Sequence, residues 1–360
     1  MKKVVITGAT GAIGRSLIHV CIESGYEVLA VVHRSSPRAA ELERMDHCRV
    51  LRLDLDEYDH AMEELEKTGI GHDSKAFGER DVSIIDCEKV EPEKNADITS
   101  GDKGNDGMPE EKDETRRDDY EFFFHLAWMA PFGRDRDNLN LQLDNIRASL
   151  AAVKFARDLG CGTFVGTGSQ AEYGRVEGVL SSDTPAFPET GYGITKLCAG
   201  QMTRLACEQL GLRHIWCRVL SVYGPYDRDQ TLISTAVIRM MADEETEFTP
   251  CDQMWDYIYS DDAARAILLS AQRGESGSIY MIGSGEVHPL REYIEKIAEV
   301  TGYTKEIGFG RRPYNDKQVM YLQADVESLK QIGFERKVSF EEGIKEMISW
   351  QLKRKAEKWE

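Results

Sequence analysis

The chain has 360 residues, is 41% hydrophobic and 30% charged, and carries a net charge of −18. That length holds two domains, or one large domain with a lobe attached. The acidic balance argues against broad binding to nucleic acid or to an acidic membrane surface. No apolar run approaches the roughly 20 residues that span a bilayer. The apolar stretch in MKKVVITGATG is too short for a signal peptide and reads as a folded first strand. The eight cysteines form no CxxC pair and no Cys/His cluster at zinc spacing, so no metal is expected. Scattered single cysteines fit a reducing cytoplasm.

Residues 3–7 (KVVIT) have the pattern of a buried strand. A helix follows from about Ile13 to Ser24, and Gly25 suits its end. Residues 27–32 (EVLAVV) and 49–53 (RVLRL) read as the second and third strands. Strand–helix–strand alternation predicts an α/β fold built on a doubly wound parallel Rossmann sheet. The rhythm then stops. Residues 71–118 are polar and rich in Gly, Pro, Asn and Asp, and residues 71–119 hold 16 acids against 8 bases. Such a segment buries too little apolar area to order itself. It reads as an acidic insertion forming a solvated loop, with VSIID (82–86) as a minor strand; a lid or contact surface is the alternative.

The rhythm resumes at EFFFHLAW, whose end is expected at the ligand edge of the sheet. A helix over about 139–159 carries Ile146, Leu150, Val153 and Phe155 near one face, and Gly160 ends it. Residues 163–166 (TFVG), a helix over 192–210, and a strand over 214–220 (HIWCRVL) follow. DYIYSDDAARAILLSA (256–271) is a short strand entering a helix. IYMIG (279–283) and a helix over 290–301 come next. The last helix is amphipathic, with a capping pattern at Ser339–Glu342. There is no internal repeat.

Gly8, Gly11 and Gly14 fall between the first strand and its helix. A backbone that meets a pyrophosphate needs residues without side chains, and the helix start, with Ala12 and Ile13, offers free N–H groups and partial positive charge. A plain tight turn also uses glycine, but placement after the first strand points to a dinucleotide. Strand two ends Val32-His33-Arg34-Ser35-Ser36, without the acid that usually holds the ribose of NAD. Arg34 is therefore expected to hold a 2′-phosphate, favouring NADP(H) with NAD(H) possible; a solvated surface arginine is the alternative. Asp54, with Leu55 beside it, is a candidate for the adenine edge.

Tyr192 and Lys196 lie four apart on a helix and so share a face. This is the single YxxxK among 14 tyrosines. A nearby ammonium favours the phenolate, so the tyrosine can exchange a proton with a sugar oxygen while hydride moves at nicotinamide. Ser169 follows a strand at the ligand edge, where its hydroxyl can orient the reacting oxygen. Thr167 is the weaker candidate for that task, and a simple turn serine is the alternative for Ser169.

With TGATGAIG (7–14), HLAW (125–128), GSQAEYG (168–174), GYGITK (191–196) and VYGP (222–225) in this order, the chain resembles the extended short-chain dehydrogenase/reductases, in the nucleotide-sugar epimerase/dehydratase branch. The resemblance covers nearly the whole chain outside 71–118. It implies that Gly8, Gly11 and Gly14 bind the dinucleotide and that Ser169, Tyr192 and Lys196 are the catalytic triad. It also implies that Leu126, Ala127, Trp128 and Val219 line the cofactor cleft. It divides the chain into a Rossmann domain (1–173, 191–223 and 255–271), a nucleotide-sugar-binding lobe (174–190, 224–254 and 272–350) and a tail (351–360).

Trp255 stands where the family usually has Arg. Gln170 and Ala171 replace the Asp-Glu pair with which dehydratases eliminate water, so dehydration is not expected. The motifs look most like CDP-abequose/paratose synthase-like 4-ketoreductases. Trp128, Gln170, Tyr192 and Arg312 are then candidate substrate residues, with Gln318 or Tyr321 near the diphosphate and base. Glu172 is either substrate-side or structural. The expected activity is reduction of a nucleotide-linked 4-keto-deoxysugar. A 4-epimerase with tightly bound NAD is the alternative, and a non-catalytic dinucleotide-binding scaffold is a third reading. The resemblance also implies a homodimer through the helices over 139–159 and 192–210.

Overall fold

The computed structural model describes residues 1–69, 120–176, 178–315 and 318–357. The acidic segment 71–118, with its VSIID run, lies outside the described residues.

Short apolar runs become strands buried on both faces, and glycine ends the helices between them. The chain starts β1 (Lys2–Thr7), α1 (Ala12–Glu23), β2 (Tyr26–Val32), α2 (Ala39–Leu42), β3 (Cys48–Arg52), α3 (Ala61–Lys67), β4 (Tyr120–His125), α4 (Leu139–Asp158) and β5 (Thr163–Ser169). It continues β6 (Val179–Leu180), α5 (Gly191–Gln209), β7 (Arg213–Val219), β8 (Ser221–Tyr223), α6 (Leu232–Met241), β9 (Met254–Trp255), β10 (Tyr257–Tyr259) and α7 (Ser260–Arg273). It ends β11 (Ile279–Ile282), β12 (His288–Pro289), α8 (Leu290–Thr301), β13 (Tyr321–Ala324), α9 (Glu327–Gln331) and α10 (Phe340–Glu357).

Seven parallel strands form the main sheet in the order β11-β7-β5-β4-β1-β2-β3. Val4, Val5 and Ile6 at its centre are fully buried, as expected for a strand covered on both faces. Between β1 and β4 the winding reverses, which opens a crevice at the carboxyl ends of the strands. Gly25 at φ +83° and Gly160 at φ +76° follow α1 and α4, as their sequence positions predict.

One expectation about α4 is corrected. Ile146 packs with Ala199 and Trp216, whereas Phe155 packs against Phe123, with ring centroids 5.5 Å apart, on the other side of the helix. Nine residues are about two and a half helical turns, so these two side chains point in opposite directions. Helix α4 is buried on two sides, against α5 and against the sheet.

A second apolar cluster, including Ile233, Val237, Ile294, Ile297, Ile344 and Met347, joins α6, α8 and α10 into a smaller lobe. The short strands β12-β9-β13-β6 form a separate small sheet there. Asp256 ties it together by accepting hydrogen bonds from the backbone N–H groups of Ser284, Gly285 and Ala324. The predicted cap of α10 is present: Glu342 accepts from the Ser339 backbone N at 2.8 Å.

Candidate active site

The carboxyl ends of β1, β4, β5 and β7 open on a cleft of about 630 Å³, walled on its far side by the loop after β8. Gly8, Gly11, Ala12, Ile13 and Gly14 form its floor. Gly8 has φ +68°, and a Cβ there would lie 2.8 Å from the Ala127 nitrogen. A Cβ on Gly14 would strike the carbonyl oxygen of Gly8. These two positions require glycine, and the turn they form brings backbone to the cleft without side chains. It leads directly into α1, whose start carries no side-chain cap, so its first N–H groups are the kind of donors that hold an anion. The residues present therefore fit a dinucleotide pyrophosphate.

Leu126, Ala127 and Trp128 line the cleft, as do Val219, Gln170, Ser169, Tyr192 and Lys196. The loop that holds the first three is fixed from behind. Thr7 Oγ1 accepts from the backbone N of Leu126 at 3.1 Å and of Ala127 at 3.2 Å. The same hydroxyl bonds His125 Nδ1 at 3.0 Å, and His125 Nε2 bonds Ser149 Oγ at 3.1 Å. Burial, aided by the charge on Lys196, pulls the His125 imidazole down to about 3. His125 is thus a neutral tether between β4 and α4. Trp128 is held by its indole N–H, which donates to Gln142 Oε1 at 3.0 Å.

Ser169, Tyr192 and Lys196 converge from β5 and α5. Ser169 Oγ accepts from the backbone N of Ala171 at 3.2 Å, and its hydroxyl stands beside the Tyr192 phenol. Glu172 acts behind it: its carboxylate accepts from the Ser169 backbone N at 2.8 Å, from Arg218 Nε at 2.7 Å and from Trp216 Nε1 at 3.2 Å. Glu172 is fully buried and does not line the cleft, so its role is structural. Added Cβ atoms at Gly166, Gly168 and Gly200 would all strike the Trp216 indole, which explains the glycines of GTGS.

Lys196 Nζ donates to the Thr167 carbonyl at 2.6 Å and lies 3.8 Å from the Trp128 ring centroid. Burial pulls its ammonium down to about 7, against the carboxylate of Glu172, which raises it. Burial pushes the Tyr192 phenol up; a hydrogen bond with Ser169 and the charge of Arg136 pull it down.

Six residues expected at the ligand, Arg34, Asp54, Leu55, Arg312, Gln318 and Tyr321, lie outside the cleft lining. Arg34 points away from the cleft, paired with Glu57 at 2.7 Å and Glu64 at 3.0 Å. Asp54 caps the turn that begins at Leu55 and accepts from the Arg34 backbone N at 2.8 Å; neither Asp54 nor Leu55 lines the cleft. Arg312 is an exposed residue of the smaller lobe, paired with Glu247 at 3.3 Å. Trp255 bonds Ser221 Oγ at 2.8 Å and is also outside the lining. Conversely, Arg38, Arg136, Arg228 and Tyr257 line the cleft and were not singled out from sequence. Arg38 Nη1 donates to the carbonyls of Thr10 at 3.4 Å and Tyr226 at 3.1 Å. Arg136 sits in the charge run GRDRD. No periodicity marks any of them.

A dinucleotide turn, a crevice at the reversal of strand order and a converging Ser/Tyr/Lys group define a nucleotide-cofactor protein of the short-chain dehydrogenase/reductase fold. The model of the "NAD dependent epimerase/dehydratase family" matches residues 4–72 and 94–283, and the chain belongs to that family of NAD-dependent enzymes. It is 29% identical to CDP-abequose synthase of Salmonella muenchen over 134 residues, 37% of this chain and 46% of that protein. It is thus aligned with less than half of that relative's length. It is 25% identical to dTDP-4-dehydro-6-deoxyglucose reductase of Escherichia coli over 232 residues, 62% of this chain and 72% of that protein. Among solved structures, UDP-glucose 4-epimerase of Thermotoga maritima superposes with a TM-score of 0.75 at 22% identity, covering 98% of this chain and 99% of that one.

Proposed function

We propose that the protein is an NADP(H)-dependent reductase of a nucleotide-linked 4-keto-deoxysugar. The observation that carries this reading is that Ser169, Tyr192 and Lys196 line the same cleft as the glycine turn, with the Trp128 ring packed against Tyr192 and Lys196. The cofactor, when bound, supplies hydride to the carbonyl carbon. Tyr192 donates a proton to the carbonyl oxygen, and the Ser169 hydroxyl beside it holds that oxygen in place. Lys196, anchored on Thr167, supplies positive charge beside the tyrosine. Gln170 and Ala171 stand in the turn where a dehydratase would need an acid and a base, which supports simple reduction. The reductase and synthase relatives agree with this choice.

The NADP(H) preference rests on Arg38 rather than Arg34. Arg38 lies beside Thr10 of the glycine turn, uses only Nη1 for internal hydrogen bonds, and makes no ion pair among the described residues. A free guanidinium edge at this end of the cleft suits a phosphate. Leu139, Leu143, Ile194, Met202 and Leu205 are exposed on the paired helices α4 and α5, which supports a homodimer through that face; light scattering tests it. The seven described cysteines are free thiols and six are buried, in keeping with a cytoplasmic protein. No described helix is long and apolar enough to cross a membrane.

A second reading, a 4-epimerase that retains NAD, is favoured by the structural likeness to 4-epimerases. The two are separated by incubating purified protein with NADPH and a panel of CDP-, UDP-, GDP- and dTDP-4-keto-6-deoxysugars. Stoichiometric NADPH oxidation is expected, falling by about 10²-fold or more in Tyr192→Phe while NADPH still binds. Tightly retained NAD with interconversion of two sugars and no net redox change would overturn the reductase reading.

A further inference from the structure

Arg136 stands on a single turn, Arg134–Asp137, just before α4. The turn is locked to the start of the catalytic helix. Asp137 Oδ1 accepts from the Gly191 backbone N at 2.8 Å, one residue before Tyr192. Gly191 makes that approach possible, since a Cβ there would lie 3.0 Å from Leu139 Cδ2 and 3.4 Å from the Asp137 Cα. From this position the Arg136 guanidinium carbon lies 4.4 Å from the centroid of the Tyr192 ring. Arg136 Nε is buried without a hydrogen-bond partner, and the side chain makes no ion pair among the described residues. A half-buried cation with no ion-pair partner among the described residues is packed against the one phenol proposed to carry a proton.

We propose that Arg136 is a positioning residue for Tyr192, its guanidinium laid against the ring so as to stabilise the tyrosinate. This rests on Tyr192 as the proton donor of the reaction. A cation over an aromatic face gains when the ring becomes anionic, and the gain is larger where water is excluded. Of the two cations over the ring, Arg136 is the nearer. Lys196 lies 5.9 Å from the ring centroid and directs its Nζ to the Thr167 carbonyl and the Trp128 ring. Glu172, behind Ser169, opposes the tyrosinate, and Asp137 is engaged at Gly191. Arg134 and Asp135 on the same turn are exposed, and Asp227 and Arg228 line the cleft with Tyr257. Arg136 is the cation whose pull on Tyr192 opposes burial.

The test is a near-ultraviolet tyrosinate titration of the purified full chain without substrate, with the Tyr192→Phe trace subtracted to isolate residue 192. Arg136→Met keeps the apolar stem on the ring and removes the charge; it should move the midpoint up by about one pH unit, a roughly tenfold loss of tyrosinate at a given pH. Arg136→Lys should hold most of the wild-type midpoint, and Arg136→Gln replaces the Met variant if that one fails to fold. A Met variant titrating with the wild type, a Lys variant shifted as far as the Met variant, or a wild-type Tyr192 that does not ionise before the protein unfolds would each overturn the inference. These outcomes are independent of turnover. Full activity in Tyr192→Phe would instead remove the proposed mechanism and leave the titration result standing.

Discussion

Replacing Lys196 by Met changes stability in a way whose sign depends on pH. Lys196 is 4% exposed, and burial pulls its ammonium down to about 7. In the unfolded chain it titrates near 10.4. Between those values the unfolded state binds one proton more than the folded state, so wild-type stability rises with pH across the window and is lowest at and below pH 7. One proton corresponds to about 1.4 kcal/mol per pH unit, and roughly three units give an unfavourable contribution of about 4 kcal/mol at neutral pH. Against this, the methionine loses the 2.6 Å hydrogen bond to the Thr167 carbonyl and strands that acceptor, a cost of about 1–3 kcal/mol at any pH. Lys196→Met is therefore expected to be more stable than wild type by about 1–3 kcal/mol at pH 6.5, and less stable near pH 10. Urea unfolding of both proteins, without cofactor, at half-unit steps from pH 6.5 to 10 measures the difference, and groups common to both cancel. A difference that stays flat over that range means that the folded lysine keeps its full charge, and the reasoning fails.

Glu172→Gln leaves Arg218 buried without its carboxylate, and about 3–5 kcal/mol should be lost in thermal or urea unfolding; a loss under 1 kcal/mol would contradict the role given to the pair. Arg38→Ala should weaken NADPH binding, read by quenching of intrinsic fluorescence, about tenfold or more while changing NADH binding little. Arg34→Ala should leave both cofactors within twofold of wild type, since its partners are Glu57 and Glu64. Equal losses of NADPH and NADH in Arg38→Ala would remove the case for a phosphate at that arginine.

The main sheet was legible because its strands are continuous apolar runs and its helices end at glycine. Both signals act within a few residues. The smaller lobe was less legible: β6, β9 and β12 are two residues each, too short for any period to register. What orders them is Asp256, a carboxylate whose partners at Ser284, Gly285 and Ala324 are far along the chain. The misreading of α4 has a similar cause. A single apolar face was expected, but the helix serves both α5 and the sheet, so Phe155 and Ile146 are buried on opposite sides.

The site divides along the same line. Where the backbone itself makes the cleft, as at Gly8 and Gly14, a side chain is excluded and the residue type alone reveals the position. Where Tyr192 and Lys196 share one helix face, spacing suffices. Arginines behave differently, because a long side chain is claimed by whichever acceptor the fold brings near it. Arg34 lies two residues past the end of β2, yet the carboxylates of Glu57 and Glu64, on the helical stretch after β3, draw it away from the cleft. Arg38, four residues on, donates from Nη1 to two carbonyls and makes no ion pair among the described residues. Arg136 lies within a charge run, and one hydrogen bond from Gly191 to its neighbour Asp137 ties that run to the tyrosine's helix. In the proposed function, cofactor choice and proton chemistry hang on how counter-charges are partitioned among three arginines. Placing a carboxylate beside Arg38, by Thr10→Asp at the glycine turn, should pair it as Glu57 pairs Arg34. Discrimination in favour of NADPH over NADH would then fall toward unity, and its persistence would show that the phosphate is held elsewhere.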